Sequence, residues 1–223
     1  MLDKYTSFAA LQAGEVAGTD YCVNVVDRSG SGVLIIAPHG GNIEIGTSEL
    51  AALIAGTDYS LFTFDGLKAR GRNRDLHITS HNFDHPDCVA LAARHSVVLG
   101  VHGCKGAATQ VYVGGLDIDL TAALTDRLIA AGLPASAAGH KYPGRHPHNI
   151  CNRGARRRGA QLELTLDLRG PSTRALIATI ARGAIADYLQ APTELATAQL
   201  SEPASPDIGR ATPVSDSRSW AGR

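Results

Sequence analysis

The chain has 223 residues, 44% hydrophobic and 19% charged, with 21 basic and 21 acidic residues and a formal net charge of zero. That length supports a full hydrophobic core, the apolar content excludes uniform disorder, and the charge balance argues against a generally basic nucleic-acid module. No apolar run approaches membrane-spanning length. The start, Met1-Leu2-Asp3-Lys4-Tyr5, lacks a basic segment before an apolar core, so a cytoplasmic protein without signal peptide or membrane contact is expected.

Tyr21 to Val26 is rich in strand formers, and Val33-Leu34-Ile35-Ile36-Ala37 is a continuous apolar run of the kind buried on both faces of a sheet. Thr47 or Ser48 can cap a helix that runs to Ala55 and stops at Gly56. Tyr59 to Phe64 and Ser96 to Val101 read as further buried strands, with a short helix from Pro86 to Arg94 between them. Asp117 to Ala131 carries Leu120, Leu124 and Leu128 at helical spacing. Gln161 to Arg169 alternates, with Leu162, Leu164, Leu166 and Leu168 on one face and Glu163, Thr165, Asp167 and Arg169 on the other. Ser172 to Leu189 is a long amphipathic helix. Strands alternating with helices predict an α/β fold: one domain over residues 1–190, with a mixed or mostly parallel sheet flanked by helices. Residues 191–223 turn to Ala, Pro, Ser and Thr and read as a flexible tail. Four widely spaced cysteines without a CxxC pair are expected to be thiols.

The chemistry collects at strand ends. Pro38-His39-Gly40-Gly41-Asn42-Ile43-Glu44 follows the apolar run and delivers an imidazole and a carboxylate five residues apart. Val98-Leu99-Gly100-Val101-His102-Gly103 ends a second strand in the same dipeptide, His-Gly. Two such strands place both imidazoles at one sheet edge. His39, Glu44 and His102 then form a candidate set for one zinc ion, with the fourth position left for water. Glu49 is a rival carboxylate inside the helix, and Cys104 a rival close to His102. Glu163 is the candidate general base.

Asn149, Asn152, Arg153 and Arg145, in the polar stretch 139–159, are candidates for binding a substrate carboxylate. His77 lies in a polar segment that can line the same cleft. Two acid-free windows, from Asp65 to Asp75 around Arg72 and from Asp126 to Glu163, hold just over half of the basic residues. A basic cleft around a metal suits an acidic substrate.

In order and combination, Pro38–Glu44, Phe64-Asp65-Gly66-Leu67-Lys68, Leu76-His77-Ile78-Thr79-Ser80, Val101-His102-Gly103, Asn149-Ile150-Cys151-Asn152-Arg153-Gly154 and Gln161-Leu162-Glu163-Leu164 resemble the poly-γ-glutamate hydrolases of bacteriophages and their bacterial relatives, over roughly residues 15 to 190. The resemblance implies a zinc peptidase with a fold like that of the zinc carboxypeptidases, zinc on His39, Glu44 and His102, and Glu163 as base. The expected partner is an acidic polymer, and the expected state a monomer. Two other functions compete: an amidohydrolase of a small N-acylated acidic amino acid, and a non-enzymatic module that binds polyanions or nucleic acid.

Overall fold

The computed structural model describes residues 3–191 except Ser29 and Ala107. The expected tail therefore lies outside the described residues, apart from its first residue. One compact unit extends to Gln190. Its elements are α1 (Phe8–Gly14), β1 (Tyr21–Val26), β2 (Val33–Gly41), α2 (Thr47–Ala55), β3 (Ser60–Gly66), α3 (Pro86–Ala93), β4 (Val97–Gly103), β5 (Val111–Gly115), α4 (Ile118–Ala130), β6 (Ala135–Ser136), β7 (Ala160–Leu164) and α5 (Pro171–Gln190).

The strands form one mixed sheet in the order β1-β3-β2-β4-β7-β5-β6. The central β3, β2, β4 and β7 are mutually parallel, whereas β1 and β5 pair antiparallel to β3 and β7. This is the α/β architecture with a helix-flanked mixed sheet that the alternation predicts. β2 is buried along almost its whole length, as a central strand covered on both faces must be.

The two faces have separate cores. Val33, Ile35 and Ala37 pack with Leu99, Val101, Leu162 and Leu164 under α2, α4 and α5. Leu34 and Ile36 pack with Phe62, Phe64 and Val98 under α1 and α3. The connection from β2 to β3 thus runs through a helix on one face, and that from β3 to β4 through a helix on the other. The reversal falls at β2, and crevices at such switch points, beyond the strands' carboxyl ends, are where α/β proteins place ligands. A register shift lies between β2 and β3: Ala37 pairs with Thr63, but Gly40 with Asp65. β2 therefore carries one extra residue there, a β-bulge.

Three local expectations change. The alternating strand ends at Leu164. Thr165 turns away to exchange hydrogen bonds with Gln110, donating its amide to the Gln110 carbonyl at 3.2 Å and accepting the Gln110 amide on its hydroxyl at 3.0 Å. Residues 166–169 then make a 3₁₀ turn, which leaves Leu166 59% exposed. Neither Thr47 nor Ser48 caps α2: Gly46, at φ 92°, takes that position, and the Thr47 hydroxyl instead donates to the Glu44 carbonyl at 2.8 Å. α1, β5 and β6 were not expected. All four cysteines are free thiols. Among the described residues no helix is long and apolar enough to cross a membrane.

Candidate metal centre and active site

β2 and β4 deliver His39 and His102 to the same edge, both almost fully buried. Their Nδ1 atoms face each other at 3.2 Å. Glu44 folds back from the loop after β2, with Oε1 3.4 Å from His39 Nδ1 and Oε2 3.9 Å from His102 Nδ1. The Gly103 amide donates to Glu44 Oε2 at 2.7 Å and fixes the carboxylate's direction. The tight return requires glycine: Gly41 sits at φ 58°, and a Cβ there would meet the Gly66 carbonyl oxygen at 2.6 Å.

His77 joins from the segment after residues 73–76. Its ring stacks on His39 at 4.1 Å, and its Nε2 is 3.9 Å from Glu44 Oε1. One donor atom each from His39, Glu44 and His77 lies within 4.8 Å of the others. His77 is thus placed beside the metal-ligand candidates rather than out among the substrate-binding residues where the sequence put it. Asp3 holds the ring from behind, accepting from His77 Nδ1 at 2.8 Å and from the Thr79 amide and hydroxyl at 2.6 Å each. Carboxylate–imidazole pairs of this kind orient rings at metal sites.

The donor set fits a cation. His39 Nε2–H donates to the Ile78 carbonyl at 2.8 Å, which leaves Nδ1 either to carry a second proton shared with Glu44 or to offer its lone pair to an ion. Burial pushes Glu44 up, but His39, His102 and the Gly103 amide outweigh it and hold the carboxyl at about 2. Burial pulls His39 down, yet Glu44 raises it above the ordinary imidazole value. His102 is pushed down to about 3 by burial and by His39, and His77 down to about 4 by the charge on His39 and by burial. One carboxylate with three crowded imidazoles, two of them strongly resisting protonation, is a donor arrangement that a divalent ion would satisfy.

Glu163 stands opposite His102 in the β4–β7 register and lines the same cavity of about 740 Å³. Burial, and then the charge on Glu44, raise its carboxyl well above the ordinary range. Arg70, Arg74, Lys105, Lys141 and Arg169 bring positive charge to this cavity. Arg169 comes from the 3₁₀ turn after β7; its Nη1 donates to the Ile45 carbonyl at 2.9 Å, while its buried Nε has no hydrogen-bond partner among the described residues. Lys105 and Asp3 carried no signal in the sequence. Arg169 did, since alternation put it on the Glu163 face, though it arrives by a turn rather than a strand.

The other candidates lie elsewhere. Asn152 is buried and fully engaged: its Oδ1 accepts the Leu116 and Gly159 amides at 3.1 and 3.2 Å, and its Nδ2 donates to the Gly144 and His146 carbonyls. Asn149 accepts the Cys151 amide at 3.2 Å and donates to Gln161 Oε1 at 2.8 Å. Both asparagines tie the 139–159 segment together, and Asn152 spends all four of its hydrogen-bonding positions doing so. Arg145 and Arg72 are exposed and outside the cavity lining, and Arg153 lines a different cavity. Of the second basic window, then, only Lys141 reaches the centre. Glu49 is exposed and 3.7 Å from Arg174, while Cys104 lines the cavity with its thiol raised to about 11 by burial and by Glu163. His95 is structural, bonded to the Leu91 carbonyl and the Ser60 hydroxyl at 2.7 and 2.9 Å.

The poly-gamma-glutamate hydrolase family matches residues 5–175. The UPF0714 protein YndL of Bacillus subtilis (strain 168) is 38% identical over 169 residues, and the SPbeta prophage-derived UPF0714 protein YoqZ of the same organism 36% over 170 residues, 75% of this chain in each case. These matches span 66% and 60% of the two relatives' own length, less than two thirds in each case. A bacteriophage poly-gamma-glutamate hydrolase superposes with a TM-score of 0.81 at 29% identity, covering 86% of this chain and all of that one. Zinc-free apo YndL superposes with a TM-score of 0.73 at 33% identity, covering 85% of this chain and 98% of that one. The chain belongs to the poly-gamma-glutamate hydrolase family, and its fold and family are those of a hydrolytic enzyme.

Proposed function

We propose that this chain is a zinc-dependent hydrolase of γ-glutamyl amide bonds in poly-γ-glutamate or a related acidic polymer. The observation that carries the reading is the meeting of His39 Nδ1, His102 Nδ1 and the Glu44 carboxylate within 3.2 to 3.9 Å, facing Glu163 across a cavity rimmed with basic side chains. The family and the zinc-free form of YndL support it.

His39, Glu44 and His102 would hold the ion, with His77 beside them. When bound, zinc supplies a Lewis acid and a lowered pKa for water at the site. Glu163 accepts the proton of the attacking water and returns it to the leaving nitrogen. A positive charge beside Glu44 removes the repulsion that helps keep Glu163 protonated, which brings the base towards its working range. Arg169, Arg70, Arg74 and Lys141 attract the carboxylates that a γ-linked chain leaves, one per residue, and favour it over an ordinary peptide.

The test is chain length against time for poly-γ-glutamate and α-linked polyglutamate, with zinc-loaded, chelated and zinc-restored protein. Shortening of the γ-linked polymer, lost on chelation and regained with zinc, is expected. Undiminished activity after chelation, with no zinc by elemental analysis, sinks the metal reading. Hydrolysis of a small N-acylglutamate with both polymers intact moves the function to the amidohydrolase alternative.

A further inference from the structure

A second cavity, of about 380 Å³, is lined by Arg153, Arg157, His81, His148, Asn82 and Asp84 together with Thr6 and Pro147. The same two segments wall both cavities. His77, Thr79 and Ser80 line the first, and His81, Asn82 and Asp84 the second; Lys141 and Tyr142 line the first, and His148, Arg153 and Arg157 the second. Neighbouring Cα atoms are about 3.8 Å apart, so the step from Ser80 to His81 carries one wall directly into the next.

The second cavity has uncommitted positive charge. Arg94, Arg127, Arg158, Arg174 and Arg182 each pair with a carboxylate. Among the described residues, the side chains of Arg153 and Arg157 make no hydrogen bond or ion pair. Asp84 brings one negative charge to the cavity, and its Oδ1 accepts the Phe8 amide at 2.5 Å. The rings of His81, His146 and His148 stand in a row, with centroids 4.8 and 5.4 Å apart. Arg157 holds φ 55°, the single non-glycine positive φ among the described residues. Such backbone is costly for a side chain with a Cβ, and no bond made by the Arg157 side chain offsets the cost.

We propose that this second cavity is a distal carboxylate subsite, in which Arg153 and Arg157 take carboxylate groups of an acidic polymer whose scissile amide occupies the main cavity. Guanidinium forks match carboxylates in two-point pairs, and His81, His148 and Asn82 supply further polar contacts. The inference rests on the polymer reading above and adds to it that chain length is sensed, since a monomeric amide cannot fill both cavities.

The experiment measures binding of fluorescently labelled poly-γ-glutamate to full-length Glu163→Gln protein by anisotropy, with and without Arg153→Ala and Arg157→Gly added together. Arg157→Gly relieves the left-handed backbone, so its melting temperature is not expected to fall, and lost binding cannot then be assigned to unfolding. A tenfold or greater weakening for the polymer, with a γ-linked glutamate dimer affected less than twofold, supports the subsite. No polymer binding by the parent, or binding by the double variant within twofold of it, overturns it. Hydrolysis by the otherwise wild-type chain separates the two claims. If the polymer is not cut but arginine-dependent binding persists, the subsite stands and the proposed reaction fails. If the polymer is cut and both arginine variants match the wild-type KM at every length, the subsite fails alone.

Discussion

The parallel-strand edge and the 139–159 segment both looked functional, and they turn out to be built on opposite plans. At the edge, His102 and Glu163 occupy paired positions of central strands and His39 sits in the bulge of β2 beside them, so the sheet sets their positions and the side chains remain available. In the segment, the side chains do the folding: Asn152 and Asn149 hold backbone groups of the loop and its neighbours. A polar residue on a regular element is available for chemistry, whereas one in a long irregular segment is first in demand for backbone groups that no ladder satisfies.

Substitutions can break this contrast. Glu163→Gln should retain the metal and the fold while lowering kcat about 10³-fold; near-normal turnover with zinc still present would remove the edge carboxylate from the reaction. Gly40→Ala should cost about 3 kcal/mol in denaturant unfolding, because a Cβ there collides with Ser48 Oγ and the Asp65 carboxylate. Unchanged stability would mean that the edge yields more readily than its packing implies. Asn152→Ala should cost about 2–3 kcal/mol by orphaning the Leu116 and Gly159 amides, with zinc content by elemental analysis undiminished in the folded fraction. A selective loss of zinc would return Asn152 to the site. Asp3→Asn should weaken zinc affinity about tenfold, through a loosened His77, and competition with a fluorescent chelator would read it. Arg145→Ala and Arg72→Ala should each change stability by under about 0.5 kcal/mol; a larger thermal shift would show that these exposed arginines have structural partners.

Glu15 gives the contrast a pH arm. Burial pushes its carboxyl up, but Lys68, Tyr5 and Lys4 outweigh that and hold it at about 2. A carboxyl lowered in the fold adds stability above its unfolded value near 4.5, and that stability is lost as pH falls towards 2. Glu15→Gln should therefore lower the melting temperature at pH 7, by an amount that shrinks through that interval. A constant difference would contradict the network.

The strands that hold the site were legible because central parallel strands are apolar on both faces, as in residues 33–37, and because β2 and β4 each carry His-Gly at their ends. What escaped depends on remote partners. β5 is five residues with two glycines, both required: the Pro143 and Tyr142 carbonyls would lie 2.6 and 2.7 Å from a Cβ at Gly114, and Gly115 holds φ 127°. β6 is two residues and exists through its pairing with β5. Asp3 and Lys105 reach the site from segments with no periodic pattern. Arg153 was read as a candidate for binding a substrate carboxylate, but nothing local could say which cavity it lines.

The one-residue irregularity in β2 has a consequence of parity. On β4 and β7 the members of the site, His102 and Glu163, alternate with Val101, Leu162 and Leu164, which belong to the core beneath α2, α4 and α5. On β2 that core takes the odd positions Val33, Ile35 and Ala37, so strict alternation would send His39 there too. The extra residue before Gly40 reverses the phase, and the ring instead stacks on His77 and sets its edge against Phe83 on the opposite face. Removing Pro38 would restore the ladder and turn the imidazole to the wrong side of the sheet, so the site depends on a residue count as well as on residue chemistry.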